Sequence, residues 1–528
     1  MKFKKRNLIA AAAVVALGAA VLSGCSNKET ANTESTNTLT YFVKLPTAIS
    51  TRVSSLNEVL MYQQREKDTG IHIDFIHPSA GQESEQFNLM IASMELPDII
   101  ETTWTLYQGG VQKAIDDGVI IALNDYIDKY APNFKKTITD KYDISKTYDR
   151  GSKTDNGDYF AFSAFNTGNV RTFAGPMVRK DWLDKLGMEA PQTIDDWETM
   201  LTAFKEKMGA DSPFTALPDY FSTINSFNGA WGVGQRLYVD NGTLKYGPMQ
   251  DNFKEYISKL HDWYTKGLID QDFSTNKRAI IDAKLTNGNS GATVFNLGAA
   301  MGVYLKQMKD KNPEYDLLCV PFPTLEEGGE NNFYVYEEDV STTSAAITTQ
   351  CKDPVTAVKW LDFWYSDEGY KLMNFGVEGT TYTMVDGKPK YSDEILNNKE
   401  GLSISEALSL QCRAAAPAPG LKQATEYLEQ YYEFPQQVAG FKLWAENVDN
   451  MRKTILPASI APIQDETDKL VSLETDLKTY TNEMVIKFIT GEEPLTNFDS
   501  FRDTLKNTFS VDEYVALKQK MYDRYLDR

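Results

Sequence analysis

Histidine is nearly missing from this chain: His72, His77 and His261 are the only three in 528 residues. Imidazole is the usual proton shuttle and metal ligand, so its scarcity narrows both chemistries. His72 and His77 stand five apart in one expected strand and face opposite sides, which excludes a shared metal there, and His261 lies in a charged helical surface. Cysteine is almost as scarce, with four in all. They have no metal-type spacing, and once Cys25 is modified the odd remainder (Cys319, Cys351, Cys412) allows one disulfide at most. Cys319, in the strand-like YDLLCVPF, reads as a small buried hydrophobe. The nucleophile-elbow, zinc-protease and P-loop motifs are absent, and adjacent acids such as Asp116-Asp117 and Glu337-Glu338 read as solvated charge. Positive charge is also short, 54 Lys and Arg against 74 Asp and Glu, a net of −20 that argues against nucleic acid as a partner. Beyond residue 22 no apolar run is long enough to cross a bilayer; ATVFNLGAAMGVYL is interrupted by Asn and Gly and reads as core.

What is present begins with Lys2, Lys4, Lys5 and Arg6 ahead of an uncharged run from Leu8 to Leu22. Basic residues before a short apolar core are the pattern of a secretory leader, and the run falls short of the about 20 residues a spanning helix needs. It ends in Leu22-Ser23-Gly24-Cys25, which resembles the bacterial lipobox. The resemblance implies cleavage before Cys25, diacylglycerol on its sulfur, and an extracytoplasmic chain held to the cell membrane, on a Gram-positive surface. Loss of residues 1–24 removes four positive and no negative charges, taking the net charge from −20 to −24 over the 504 residues left. Residues 25–37 then form the lipidated cysteine and a polar tether, too poor in apolar groups to fold.

From Leu39 onward strands and helices alternate. Leu39 to Lys44, Ile71 to Ile76 and Asp98 to Glu101 read as strands, and Ser54 to Lys67, Gln82 to Ser93 and Tyr107 to Asp116 as helices. This rhythm predicts an α/β fold with open, mostly parallel sheets. Asn156-Gly157 signals a hairpin. A first passage between two lobes is expected near residues 164 to 176. TIDDWETMLTAFKEKM, with Asp195 expected as its cap, is apolar at 197, 200, 201 and 204, a surface helix with one buried face. The tail from about Thr475 to Arg528 reads as helices punctuated by Gly491 and Pro494.

VRKDWLDKLGMEAPQTIDDWETMLTAFKEK resembles the interdomain segment of the family 1 extracellular solute-binding proteins, the receptors of ABC sugar importers. TGIHIDFIHP, the segment from LPDII to DKYAPN, NGNSGATVFNLGAAM, DPVTAVKWLDFWYSDEGYKLMNFGVEGTTY and YTNEMVIKFITGEEPLTNFDSF are similar in the family's order. The resemblance spans about residues 39 to 525 and is nearest to the large lipoproteins that bind polysaccharide-derived oligosaccharides. It implies a two-lobed fold like the type II periplasmic binding proteins, with a hinge and an interlobe ligand cleft. The expected lobes are 38–165 plus about 335–385, and 166–334 plus about 386–528. Relatives that hold calcium carry an acidic loop after the AFKEK helix, where this chain has MGADSPF; Asp211 alone cannot supply six oxygen ligands, so no metal and no cofactor are expected.

Ligands of such sheets sit beyond the carboxyl ends of the strands, which makes loop aromatics and polar groups the candidates. Trp104 and Tyr107 follow the strand DIIE and precede Gly109-Gly110; packing inside the first lobe is the alternative. Phe165, Asn166 and Arg171 flank the expected hinge, Arg171 pairing with a uronate or with a structural acid. Trp231 sits among glycines in NGAWGVG, and Glu378 and Tyr382 in VEGTTY resemble a family loop that faces the ligand. Trp182, Trp197, Trp263, Trp360 and Trp364 fall at helical spacing and read as core, while Trp444 is undecided. The expected function is a substrate-binding lipoprotein, not an enzyme, acting as a monomer that delivers an oligosaccharide to the transmembrane subunits of an ABC permease. A lipid-anchored glycan-processing enzyme, or a peptide or adhesion receptor on the same scaffold, is the alternative.

Overall fold

Thirteen strands form two main sheets and two hairpins in the computed structural model, which describes residues 37–168, 172–414, 418–422 and 425–528. Cys25 and Arg171 lie outside the described residues. In chain order the strands are β1 (Thr38–Phe42), β2 (His72–Ile76), β3 (Ile99–Thr103), β4 (Phe162–Asn166), β5 (Ala174–Arg179), β6 (Leu237–Asp240), β7 (Thr243–Tyr246), β8 (Ala292–Asn296), β9 (Leu317–Cys319), β10 (Val340–Ile347), β11 (Tyr382–Val385), β12 (Lys388–Tyr391) and β13 (Gly420–Lys422). The first sheet runs β13-β4-β10-β3-β1-β2 and the second β8-β5-β9.

Strands β2-β1-β3 of the first sheet are parallel, with Tyr41 of β1 in register with Phe75 of β2 on one side and Ile99 of β3 on the other. Helices Leu60–Thr69 and Glu83–Ser93 make the crossovers that parallel pairing requires. β10 breaks the expected parallel pattern: it follows the whole second sheet in the chain and re-enters the first antiparallel to both β3 and β4. Both pairings in the second sheet are antiparallel as well. β13, within the range expected in the second lobe, pairs parallel to β4 in the first sheet. All of these elements lie in one compact unit, Thr38–Arg528.

Alternation along β1 shows why the first sheet is covered on both faces. Tyr41 points into a core with Phe75, Tyr62 and Trp360, its ring 5.5 Å from Phe75 and 5.8 Å from Trp360. Phe42 points the other way, to Ile100, Trp104 and Ala346. Trp182, Trp197, Trp263, Trp360 and Trp364 are all buried, as their helical spacing predicts. Trp444 joins them: its Nε1 donates to the Val320 carbonyl at 2.9 Å and its ring lies flush on Gly175.

Local chemistry shifts several boundaries. Thr193, not Asp195, caps helix Ile194–Met208; its hydroxyl accepts from the Asp196 amide, and Asp196 reaches back in a capping box. The helix expected from Tyr107 starts only at Val111, because Gly109 and Gly110 both have φ near 90° and stop a right-handed helix. The tail helix starts earlier than expected and runs 27 residues, Gln464–Thr490. His77 serves the fold: one ring nitrogen bonds the Val43 carbonyl at 2.7 Å and the other accepts from the Leu56 amide at 3.1 Å.

Candidate functional site

Parallel β1, β2 and β3 end at one edge of the first sheet, and antiparallel β10 brings Thr343 there by pairing it with Thr103. Over that edge opens a cleft of about 1290 Å³. Its walls are the chain after β1 (Lys44 to Ala48), Pro78 after β2, one face of helix Glu83–Ser93, and the turn after β3 carrying Leu106, Tyr107 and Gln108. Lys113 and Asp117 from the chain after that turn, Ser405 and Ser409 from helix Ile404–Gln411, and then Arg413 and Gln464 also line it.

The floor is an ion pair almost shut off from water, Glu101 being 5% and Arg413 4% exposed. Arg413 Nη2 donates to Glu101 Oε1 at 2.8 Å and Nη1 to Oε2 at 3.0 Å, while the Tyr41 hydroxyl donates to Oε2 at 2.7 Å. Arg413 Nη1 also reaches the Tyr62 oxygen at 3.2 Å. Burial works against the Arg413 charge, but Glu101 outweighs it and holds the guanidinium pKa well above its usual value. Burial, followed by the Glu101 charge, pushes the Tyr41 phenol well up.

The wall is a half-buried aromatic. Tyr107 donates its hydroxyl to Asp117 Oδ2 at 2.9 Å, and the other Asp117 oxygen takes a 2.6 Å bond from Lys113. Burial first, then the bond to Asp117, pushes the Tyr107 pKa up to about 12, so the phenol stays protonated in neutral water. The turn behind it is closely covered: a Cβ on Gly110 would lie 2.1 Å from the Pro462 carbonyl oxygen. Apolar rings beside neutral hydroxyl and amide groups can stack on a sugar face and pair its hydroxyls.

Residues 48–371 match the family described as bacterial extracellular solute-binding protein. The chain belongs to that family. Among relatives, the fructooligosaccharide ABC transporter substrate-binding protein FusA of Streptococcus pneumoniae is 26% identical over 99% of both chains. The polygalacturonan/rhamnogalacturonan-binding protein YtcQ of Bacillus subtilis is 24% identical over 92% of both. An HMO-binding, ABC-transporter-associated solute-binding protein from Bifidobacterium longum infantis has the same fold, with a TM-score of 0.72 at 18% identity, over 92% of this chain and 99% of that one. The fold is therefore the two-lobed α/β architecture of solute-binding proteins, and the family is one of binding proteins.

On this solute-binding scaffold Tyr107 is, among the described residues, the one candidate ligand contact of the sequence that lines the cleft; Arg171 lies outside the described residues. Trp104 does not: its ring is fully buried, with Nε1 donating to the Ile100 carbonyl at 3.3 Å, and it backs Phe87 and Tyr107 from behind. Phe165 is core too, stacked on Tyr148 at 4.4 Å and tilted against Tyr365 at 5.6 Å. Asn166 is a fastener between crossing strands, its amide nitrogen Nδ2 donating to the Glu338 carbonyl at 2.7 Å and its backbone N–H to Asp339 at 3.0 Å. Trp231 lines a different hollow of about 770 Å³ with Lys254, Ser258 and Leu325. Glu378 is exposed, and Tyr382 is buried against Phe375 at the start of the β11–β12 hairpin, neither of them on the cleft. Glu101 had one sequence signal, a carboxylate closing the apolar strand DIIE; Arg413, 312 positions away, had none.

Proposed function

We propose that this chain is the substrate-binding lipoprotein of an ABC importer, capturing an oligosaccharide in the cleft over β1, β2 and β3 and delivering it unchanged to the membrane permease. The carrying observation is the cleft itself: about 1290 Å³ at the carboxyl edge of the parallel strands, lined by aromatic rings, neutral polar groups and charged groups held in ion pairs. Family membership and the fructooligosaccharide and polygalacturonan names of two relatives support a sugar over a peptide. Lipid on Cys25 would hold the protein at the outer face of the cell membrane, each buried methylene contributing about 0.8 kcal/mol.

In this reading the six-stranded sheet belongs to one lobe and the three-stranded sheet to the other, with the chain passing between them after Asn166, before Val340 and beyond Lys422. Hinge closure on the sugar makes the shape a permease recognises. A thermal-shift screen of Ser26–Arg528 against oligosaccharides, monosaccharides and peptides tests it. A sugar at a hundredfold excess over Kd adds about 2.7 kcal/mol to stability, and it should be recovered intact. A shift with peptides alone, or cleavage of the sugar, would defeat the proposal.

A further inference from the structure

We infer that the sugar this cleft accepts is uncharged, and that oligosaccharides of uronic acids are excluded; the inference rests on the receptor reading above. Three cations line the cleft among the described residues, Lys44, Lys113 and Arg413, and three carboxylates, Glu83, Asp117 and Glu101. They match one to one. Lys44 lies 2.8 Å from Glu83, Lys113 2.6 Å from Asp117, and Arg413 2.8 Å from Glu101. Each pair sums to zero, so an incoming carboxylate meets no net attraction at any of the three.

Releasing a cation for the ligand does not help. If Lys44 or Lys113 turned to a uronate, its present carboxylate would stay within a few ångströms of the new one, and like charges at that range repel. The Arg413 pair is less adaptable still, because both partners are buried and Tyr41 also donates to Glu101. The far field acts in the same direction, since a chain of net charge −20 slows the approach of polyanions. The remaining polar lining, such as Ser84, Asn88, Gln108, Thr343, Ser405 and Ser409, is neutral and suits hydroxyl groups. The charged pairs suit hydroxyls as well: a carboxylate already held by its lysine keeps lone pairs for sugar O–H donors.

Titration calorimetry of Ser26–Arg528 decides the point, using neutral tetrasaccharides of fructose, glucose, xylose and galactose beside tetragalacturonate and its methyl ester, at low and high salt. The expected result is binding of a neutral tetrasaccharide that changes little with salt, with tetragalacturonate at least about tenfold weaker than its ester. Glu83→Gln and Asp117→Asn, which uncover Lys44 and Lys113, should narrow that gap. Tetragalacturonate binding more tightly than its ester, and weakening as salt rises, would overturn the inference and leave the receptor reading standing. If neither neutral nor acidic sugars bind, both fall.

Discussion

Arg413 and Glu101 meet through two parallel hydrogen bonds, at 2.8 and 3.0 Å, after 312 residues of intervening chain. Removing one partner strands the other charge in the interior, which typically costs about 3–5 kcal/mol. Glu101→Ala and Arg413→Met should each lose that much in urea unfolding. The double variant Glu101→Leu with Arg413→Met leaves no buried charge and should recover most of the loss. Strictly additive losses in the double variant would show that the two residues do not act as a pair.

Tyr107 gives the cleft its half-buried ring, and its hydroxyl is spent on Asp117. Its contribution to binding should therefore come from the ring face, so Tyr107→Ala should weaken sugar binding about tenfold, within the range of one aromatic contact. Tyr107→Phe keeps the face, and Asp117 keeps Lys113, so its Kd should stay within about twofold of the original. Equal losses in the two variants would assign the role to the hydroxyl instead.

The contrast between these residues shows what a sequence can disclose. Tyr107 was legible because a strand, an aromatic and two glycines follow in order, so position along one βα turn fixed its place. Trp104, three residues earlier, carries the same signals but lands behind the wall, because the 3-10 turn Trp104–Leu106 rotates its ring into the core. Helical spacing correctly marked five tryptophans as core, since periodicity reports directly on which face is buried. Arg413 and Ser409 reach the cleft from far along the chain, where pairing of β13 with β4 brings that stretch back to the first sheet. Such long-range register leaves no local pattern, and the antiparallel entry of β10 was hidden for the same reason.

Gly110 is the tightest point of the turn that carries Tyr107. Its φ of 87° is unfavourable for any side chain, and a Cβ there would lie 2.1 Å from the Pro462 carbonyl oxygen, a backbone atom that cannot swing aside. Gly110→Ala should thus combine left-handed strain with overpacking and cost about 2–4 kcal/mol. The comparison is Gly118→Ala, which has φ of 70° but nothing within 4 Å, and should cost about 1 kcal/mol. Similar unfolding midpoints for the two variants would mean that the segment at Pro462 yields freely.

Lys422 ends β13 almost fully buried, 4% exposed, and its pKa is lowered to about 7, first by burial and then by the Arg413 charge. In the unfolded chain a lysine titrates near 10.4. Between about pH 7 and 10.4 the unfolded state therefore binds more protons than the folded one, and this group makes stability rise with pH. Below about pH 7 both states hold the proton, and the full cost of a buried ammonium is present. Lys422→Met removes that cost, so the variant should be more stable than the parent at pH 6, by on the order of 3–5 kcal/mol, and the difference should shrink steadily toward pH 10. Urea unfolding of both proteins at pH 6, 8 and 9.5 reads the difference directly, because groups common to both cancel. A gap that stays constant across this range would mean that Lys422 titrates as an ordinary lysine, and that its aliphatic packing rather than its charge sets the effect of the substitution.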